Sequence, residues 1–589
     1  MKWNLDFLYK SREEFLKDLE KANELISKLG SFQGKLGNEE SFKEYYDLNH
    51  VLLRDYLKVY LYASMRESQN RKDNLNVADM QQVQFLFAKL GQATSFESSE
   101  ILSLGKNYVF KMLEKYPDLE PLRHGFEDLF RKEAHTPSKD AQSVIANYSM
   151  LSGVGSDLYG SLTSGDAKKA EIKYNGEKEK VRVTKENWTA LIQDAKTDKD
   201  RKNVFEACFK SYKDYQNTYA SIYNSVLQAD IALARSKGFN NALEMHLFGN
   251  NIPVSLYHNL IKAAHKLAPL AKKYYKIRKN VLGLRRYHTY DRFLSLGGTS
   301  DKTYTYEEAK ELFFKSIDKF DDEFKGFARE VTKDGYVDVY PSEGKRGGAY
   351  SNSVPGVHPI ILLNFNSKLN DVFTLAHEAG HSIHTMFSQK YQPLETEDYT
   401  IFVAEIASTF NEHNLLDYLL NSGKLSKSEK VSLIQNAIDD IMSTFYRQTL
   451  FAEYEYLAHT KAENGEPITA ESLSEIMVSL YKRYYGLDIR KENGKEFVWA
   501  YIPHFFNSPY YVYQYATSFS ASLAIYEKVK NNEPKAFENY KEMLKSGGSD
   551  YPIEIVKKAG VDFTNMDAIN GVVTRYAELL EELEKALNE

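Results

Sequence analysis

A single cysteine, Cys208, leaves this chain of 589 residues without the partner that an intramolecular disulfide needs. Prolines are also scarce, 14 in all, so long helices can run without breakers. No uninterrupted apolar run approaches the roughly 20 residues that a membrane-spanning helix requires. Met1-Lys2-Trp3-Asn4-Leu5-Asp6 leads into a charged segment without an apolar signal core. These absences point to a cytoplasmic protein with no membrane partner. The net charge of −6 is spread over interspersed signs, which gives no basic field for nucleic acid. Internal repeats and low-complexity tracts are missing too, and nothing in the chain signals an oligomeric state.

What fills the chain is helix. Segments 13–29, 186–195, 201–236, 255–282 and 566–587 are long, charged and periodic, and they predict a mainly α fold. Two stretches read differently. Glu171-Ile172-Lys173-Tyr174-Asn175-Gly176-Glu177, continuing to Val183, predicts a hairpin with a two-residue Asn-Gly turn. Residues 336–365 mix β-branched and aromatic residues with Gly, Ser and Pro, and predict a hairpin or small antiparallel sheet. The best internal boundary falls within 140–184, giving an N-terminal helical lobe, 1–184, that carries the hairpin at 171–184, and a second region, 185–589.

The second region contains His377-Glu378-Ala379-Gly380-His381. Residues i and i+4 share a helix face, so both imidazoles can reach one ion at about 2 Å. Glu378 is rotated by about 100° from His377 and is free to take a proton from water at an open metal position. Asn370 and Asp371 can cap the helix, with Val372, Leu375, Ala376, Ala379, Ile383 and Met386 as its buried stripe. The bland alternative is a solvated helix whose histidines are incidental. His384 shares the histidine face but lies about 10 Å further along the axis, so it reads as a wall or substrate-facing residue.

Hydrolytic zinc takes three protein ligands and keeps one position open. Candidates for the third are Glu395, Glu397, Asp398, Glu405, Glu412 and His413. Glu405 stands out because it interrupts the apolar run Ile401-Phe402-Val403-Ala404-Glu405-Ile406-Ala407, where an idle carboxylate would be costly. Glu395, Glu397 and Asp398 read as loop residues whose charges need no partner. Glu412, seven residues beyond Glu405, can orient a ligating histidine through its other nitrogen, or simply be a solvated glutamate. Further on, Ser508-Pro509 reads as a cap and first helical residue. On the helix that follows, Tyr511 and Tyr515 would share a face, and Tyr513 would point elsewhere.

Thr374 to His384 and Phe402 to Ser408, with Arg346-Gly347-Gly348-Ala349-Tyr350-Ser351, His358 to Phe365, Ile502-Pro503-His504-Phe505 and Tyr511 to Thr517, resemble the thimet oligopeptidase-related metallopeptidases, most of all the oligoendopeptidase F branch. The resemblance spans nearly the whole chain. It implies two helical lobes enclosing a deep substrate channel, with a small antiparallel sheet beside the metal helix. It implies one zinc ion on His377, His381 and Glu405, with Glu378 as general base, and cleavage of internal bonds in short unstructured peptides. An edge strand at Gly348, Ala349 and Tyr350 would pair with the peptide backbone, with His384 and Tyr513 nearby. His504 and Tyr515, with Tyr511 or Tyr513, would hydrogen-bond the oxyanion. The rival readings are removal of dipeptides from a terminus, hydrolysis of a non-peptide amide on the same ligands, and peptide binding without turnover.

Overall fold

Helix 12–30 shows why the periodic segments fold as they do. Phe15, Leu19, Ala22, Ile26 and Leu29 recur at helical spacing and are buried, and the Ser11 side chain accepts the Glu14 N–H at the cap. The computed structural model describes residues 2–298, 302–423 and 425–589, and most of them are helical. The stretch 201–236, expected as one helix, is two, Asp198–Asp214 and Gln216–Ser236, parted at Tyr215. Helices Val254–Val281 and Asp567–Asn588 follow the expected bounds within a residue. Among the described residues no helix is long and apolar enough to cross a membrane.

By packing, the chain divides into two compact units of three segments each. One holds Met1–Ala134, Asp301–Ser422 and Ser522–Asp562; the other holds His135–Ser300, Gly423–Ala521 and Phe563–Glu589. This partition differs from a single cut near 184. The hairpin of β1 (Glu171–Lys173) and β2 (Lys180–Arg182) belongs to the second unit, where the Tyr174 hydroxyl donates to the Leu191 carbonyl at 2.7 Å. Asn175 and Gly176 do form a turn, with φ of 53° and 79° and the Glu177 N–H donating to the Tyr174 carbonyl at 3.0 Å, but Lys173 pairs with Lys180, so residues 174–179 connect the strands and the two-residue connection expected from the sequence is not formed. In the same unit the C-terminal helix returns to pack on Val254–Val281 and on Lys427–Asp440.

The first unit carries the small sheet, β3 (Val337–Asp338), β4 (Tyr350–Val354) and β5 (Val357–Leu362), in the order β3-β5-β4. β4 and β5 form the expected antiparallel hairpin, with Tyr350 opposite Leu362, and β3 adds in parallel, so the whole sheet is mixed. The Trp3 indole N–H donates to the Ile361 carbonyl at 2.8 Å, fastening the N-terminal segment to β5. β4 is an edge strand.

Beside the sheet lie two helices, α1 (Leu369–Tyr391) and α2 (Ile401–Asn421). α1 begins earlier than the expected cap at Asn370 and Asp371. Asp371 instead reaches back, accepting the N–H of Lys368 at 2.8 Å and of Asn366 at 3.0 Å, the acidic half of a capping box. α1 and α2 cross in contact at Gly380, where a Cβ would stand 2.5 Å from the Ala407 carbonyl oxygen and 2.6 Å from Ser408 Cα. Glycine there lets the two backbones meet.

Candidate metal centre

The crossing at Gly380 brings the histidine face of α1 against the first turns of α2. His377 Nε2 and His381 Nε2 are 3.2 Å apart, and Glu405 Oε2 lies 3.4 Å from the first and 3.5 Å from the second. A tetrahedral ion about 2.05 Å from each donor has ligand-to-ligand edges of about 3.3 Å, so this triangle fits zinc-like coordination. Among the described residues these three form the one cluster of histidine, cysteine and carboxylate donors close enough to share an ion. The donor set, two imidazoles and a carboxylate, is that of a hydrolytic zinc site.

Each imidazole is aimed by a partner on α2. Glu412 Oε1 is 3.0 Å from His377 Nδ1, which therefore carries the proton and leaves Nε2 free to ligate. His381 is held by the Ala404 carbonyl. Burial depresses His377, but Glu412, then Glu405 and Glu378, outweigh it and raise the group to about 9. His381, lowered by burial and by the neighbouring His377 charge, falls to about 4.

Glu378 is 5% exposed, and burial raises its carboxyl to about 7. The Ser351 backbone N–H of β4 donates to it, while Oε2 is buried with no hydrogen-bond partner. Ser351 Oγ and Ser382 Oγ, 2.8 Å apart, tie β4 to α1. A cleft of about 680 Å³ opens over this arrangement, lined by β4 and its neighbours Ala349 and Pro355, by His377, Glu378, His381 and Glu405, by Glu397 and Tyr399, and by Leu57, Tyr60 and Phe87. Gly348, at the entrance to β4, has φ of 80°, with nothing within 4 Å of the place a Cβ would take.

Other expected residues fall elsewhere. His384 is 1% exposed and lies beneath the cleft, stacked on Tyr399 at 3.7 Å with both ring nitrogens unpartnered, so it is not itself a wall. Burial lowers it to about 3. Glu397 is buried, contrary to its reading as a free loop charge. It accepts the Gly356 N–H at 2.9 Å and is raised to about 7 by burial. Its segment is pinned because Gly547 and Gly548 bring their backbone against Thr396 and Asp398. Glu395 pairs with His50.

In the second unit His504, Tyr511 and Tyr515 form one cluster, with ring centres 5.6 to 6.1 Å apart. Tyr513 is buried against Tyr257 at 5.5 Å, so it packs in a core and does not face substrate. The helix opened by Ser508-Pro509 in the sequence reading starts later, at Tyr513, because Tyr510 turns into the left-handed region with φ of 54°. Two further residues of the cleft escaped the sequence reading. The Ser351 N–H carries no side-chain signal, and Tyr399 is one of 43 tyrosines.

Residues 191–572 match the model of peptidase family M3, and 100–168 match that of oligopeptidase F. The chain is similar to oligopeptidase PepF of Bacillus subtilis, 34% identical over 588 residues, which cover 99% of this chain and 87% of that one. It is also similar to an oligoendopeptidase F homolog of Borreliella burgdorferi, 33% identical over 589 residues, 99% of this chain and 98% of the other. The crystal structure of oligoendopeptidase-F from Enterococcus faecium is 29% identical, with a TM-score of 0.76 over 98% of this chain and 99% of that one.

Proposed function

The chain belongs to peptidase family M3 and is a metalloendopeptidase, and from this premise we propose that it holds one zinc ion on His377, His381 and Glu405 and cleaves internal bonds of short unstructured peptides. The observation that carries the zinc reading is the donor triangle with edges of 3.2, 3.4 and 3.5 Å. Zinc, when bound, supplies a Lewis acid that makes water nucleophilic near neutral pH and polarises the scissile carbonyl.

Glu378 then does the proton work. Its unpartnered Oε2 takes a proton from the attacking water and passes it to the leaving nitrogen. Burial of this carboxyl favours its protonated form, which eases the half of the cycle in which it takes up a proton. β4, entered through Gly348, Ala349 and Tyr350, pairs with the peptide main chain and sets its register over Glu378 without selecting side chains. His504 and Tyr515, with Tyr511, donate hydrogen bonds to the oxyanion of the tetrahedral state. His384 serves the site indirectly, as the support on which Tyr399 rests.

A panel of quenched peptides of graded length, with products mapped by mass spectrometry and zinc measured on the same sample, tests this reading. Internal cleavage by protein with one zinc per chain is expected. Release of dipeptides from one terminus alone would replace the endopeptidase reading, and turnover with no bound metal would end the zinc reading.

A further inference from the structure

β4 enters the cleft as one strand of a ribbon whose tip is Val354-Pro355-Gly356-Val357, with Gly356 at φ of 73°. β3 pairs only with Ile361 and Leu362, away from that tip. Just before the turn the register slips: between the pairs Asn352–Ile360 and Val354–Val357, Ser353 alone faces His358 and Pro359 of β5. Pro359 has no N–H with which to complete the ladder. A bulge interrupts the pairing and bends the strand, and a two-stranded ribbon has little stability of its own. The tip therefore needs support from outside the ribbon.

Gln389 and Glu397 supply it. The Gln389 side-chain amide, on α1, donates to the Val357 carbonyl at 2.8 Å and to the Val354 carbonyl at 3.3 Å, so it bridges the two strands where they turn. The Gly356 N–H donates to Glu397 Oε1 at 2.9 Å, and the same oxygen lies 3.4 Å from Gln389 Nε2. Glu397 is itself fixed. Its own carbonyl accepts the Ser388 hydroxyl of α1, and the Gly548 N–H donates to the Thr396 carbonyl at 2.8 Å. Gln389 follows His381 by eight residues and Glu397 precedes Glu405 by eight, so the tip is tied to the two arms that carry the donor triangle. From Ser351, whose N–H donates to Glu378, to Val354 is three residues, about 10 Å of strand.

We propose that Gln389 and Glu397 are positioning residues for the substrate: they hold the Ser353–Val354 end of β4 in line with its Ser351 end, so that a peptide gains affinity from main chain lying about three residues beyond the scissile bond. This rests on the reading that β4 pairs with the peptide. Both side chains act through the strand and touch no reacting atom, so they set KM and its dependence on peptide length and not kcat.

The test uses the full-length, zinc-loaded chain and nested peptides grown one residue at a time on each side of one cleaved bond. In the parent, KM is expected to fall about tenfold as the peptide grows from two to four residues on the side that lies along the tip. Glu397→Ala and Gln389→Ala should each abolish that fall, with KM for the shortest peptides and kcat for all of them staying near the parental values. Glu397→Gln keeps an acceptor for the Gly356 N–H and should restore the fall. Should the alanine variants fail to fold, Gln389→Asn, whose amide stops one carbon short of the turn, decides by the same profile. A KM that rises equally for short and long peptides, a loss in kcat, or an unchanged length profile would overturn the proposal. N-methylation of successive peptide amides, tried on the parent, separates the two readings. If no methylated position raises KM, β4 does not pair with the peptide and both readings fall; if one does while the variants keep the parental length profile, only the role of Gln389 and Glu397 falls.

Discussion

Glu378 and Glu455 are two buried carboxylates built alike and placed differently. Each has one oxygen held by a backbone N–H, from Ser351 and from Tyr510, the latter at 2.9 Å. Each has Oε2 buried without a partner. Burial is the main cause that raises both, Glu378 to about 7 and Glu455 to about 8. Yet Glu378 lines a cleft beside the three proposed metal donors, whereas Glu455 is 0% exposed, close to Tyr223, Tyr257 and Tyr510. A raised carboxyl thus reports burial, and access to a reacting atom is what turns burial into chemistry. Glu455 has a mechanical task instead: its oxygen holds Tyr510 in the left-handed conformation just before Tyr511.

The sharpest way to break this comparison is to neutralise each acid in turn. Glu378→Gln should lower kcat by about 10⁴-fold, the upper range for a lost general base, with zinc content unchanged. Glu455→Gln keeps an acceptor for the Tyr510 N–H and should leave kcat within a few-fold of the parent. Comparable losses in the two variants, measured on one peptide, would erase the distinction.

The metal donors sharpen the contrast further. Glu405→Ala removes one corner of the triangle and should yield protein without stoichiometric zinc by elemental analysis. Glu412→Ala leaves the corners in place but frees the His377 ring, and should weaken zinc binding by about 10- to 100-fold in a chelator competition. A Glu412→Ala protein that holds zinc as tightly as the parent would show that the ring is fixed by packing alone.

How far these residues were legible depended on how local their cause was. His377, His381 and Glu405 announce themselves because i,i+4 spacing and a carboxylate in an apolar run are local facts with one good chemical resolution. Gly380 sits within the same motif, but its reason, the Ala407 backbone 2.5 Å from an added Cβ, lies on another helix. Glu397 looked like a loop charge because nothing near it in sequence reveals that Gly547 and Gly548 close over the segment. The helix start at Tyr513 escaped for a related reason. Ser508-Pro509 is a good cap locally, but a carboxylate 55 residues away holds Tyr510 out of helical conformation. The same distance hid the burial of Tyr513.

Gly380→Ala probes the helix crossing that places the metal donors. The added methyl must push α1 from α2 or strain both, an overpacking cost of about 1–3 kcal/mol, and zinc affinity should fall with stability because Glu405 and the histidines sit on opposite sides of the crossing. A stability loss with unchanged zinc affinity would mean that the donors follow the metal and not the helices.

A further test concerns Glu455 and pH. Its folded carboxyl is raised from 4.5 to about 8, so between those values the folded chain keeps a proton that the unfolded chain has released. Stability from this group is complete below about 4.5 and is lost as pH rises towards 8. Glu455→Gln cannot titrate and should remove that downward slope, flattening the melting temperature between pH 5 and pH 8 relative to the parent while keeping the Tyr510 contact. Glu455→Leu should flatten it as well but lose the acceptor, so Tyr510 loses its clamp and kcat falls while KM holds. If both variants instead keep the parental slope, the buried acid is already charged in the folded chain, and the likeness to Glu378 on which the comparison stands is only geometric.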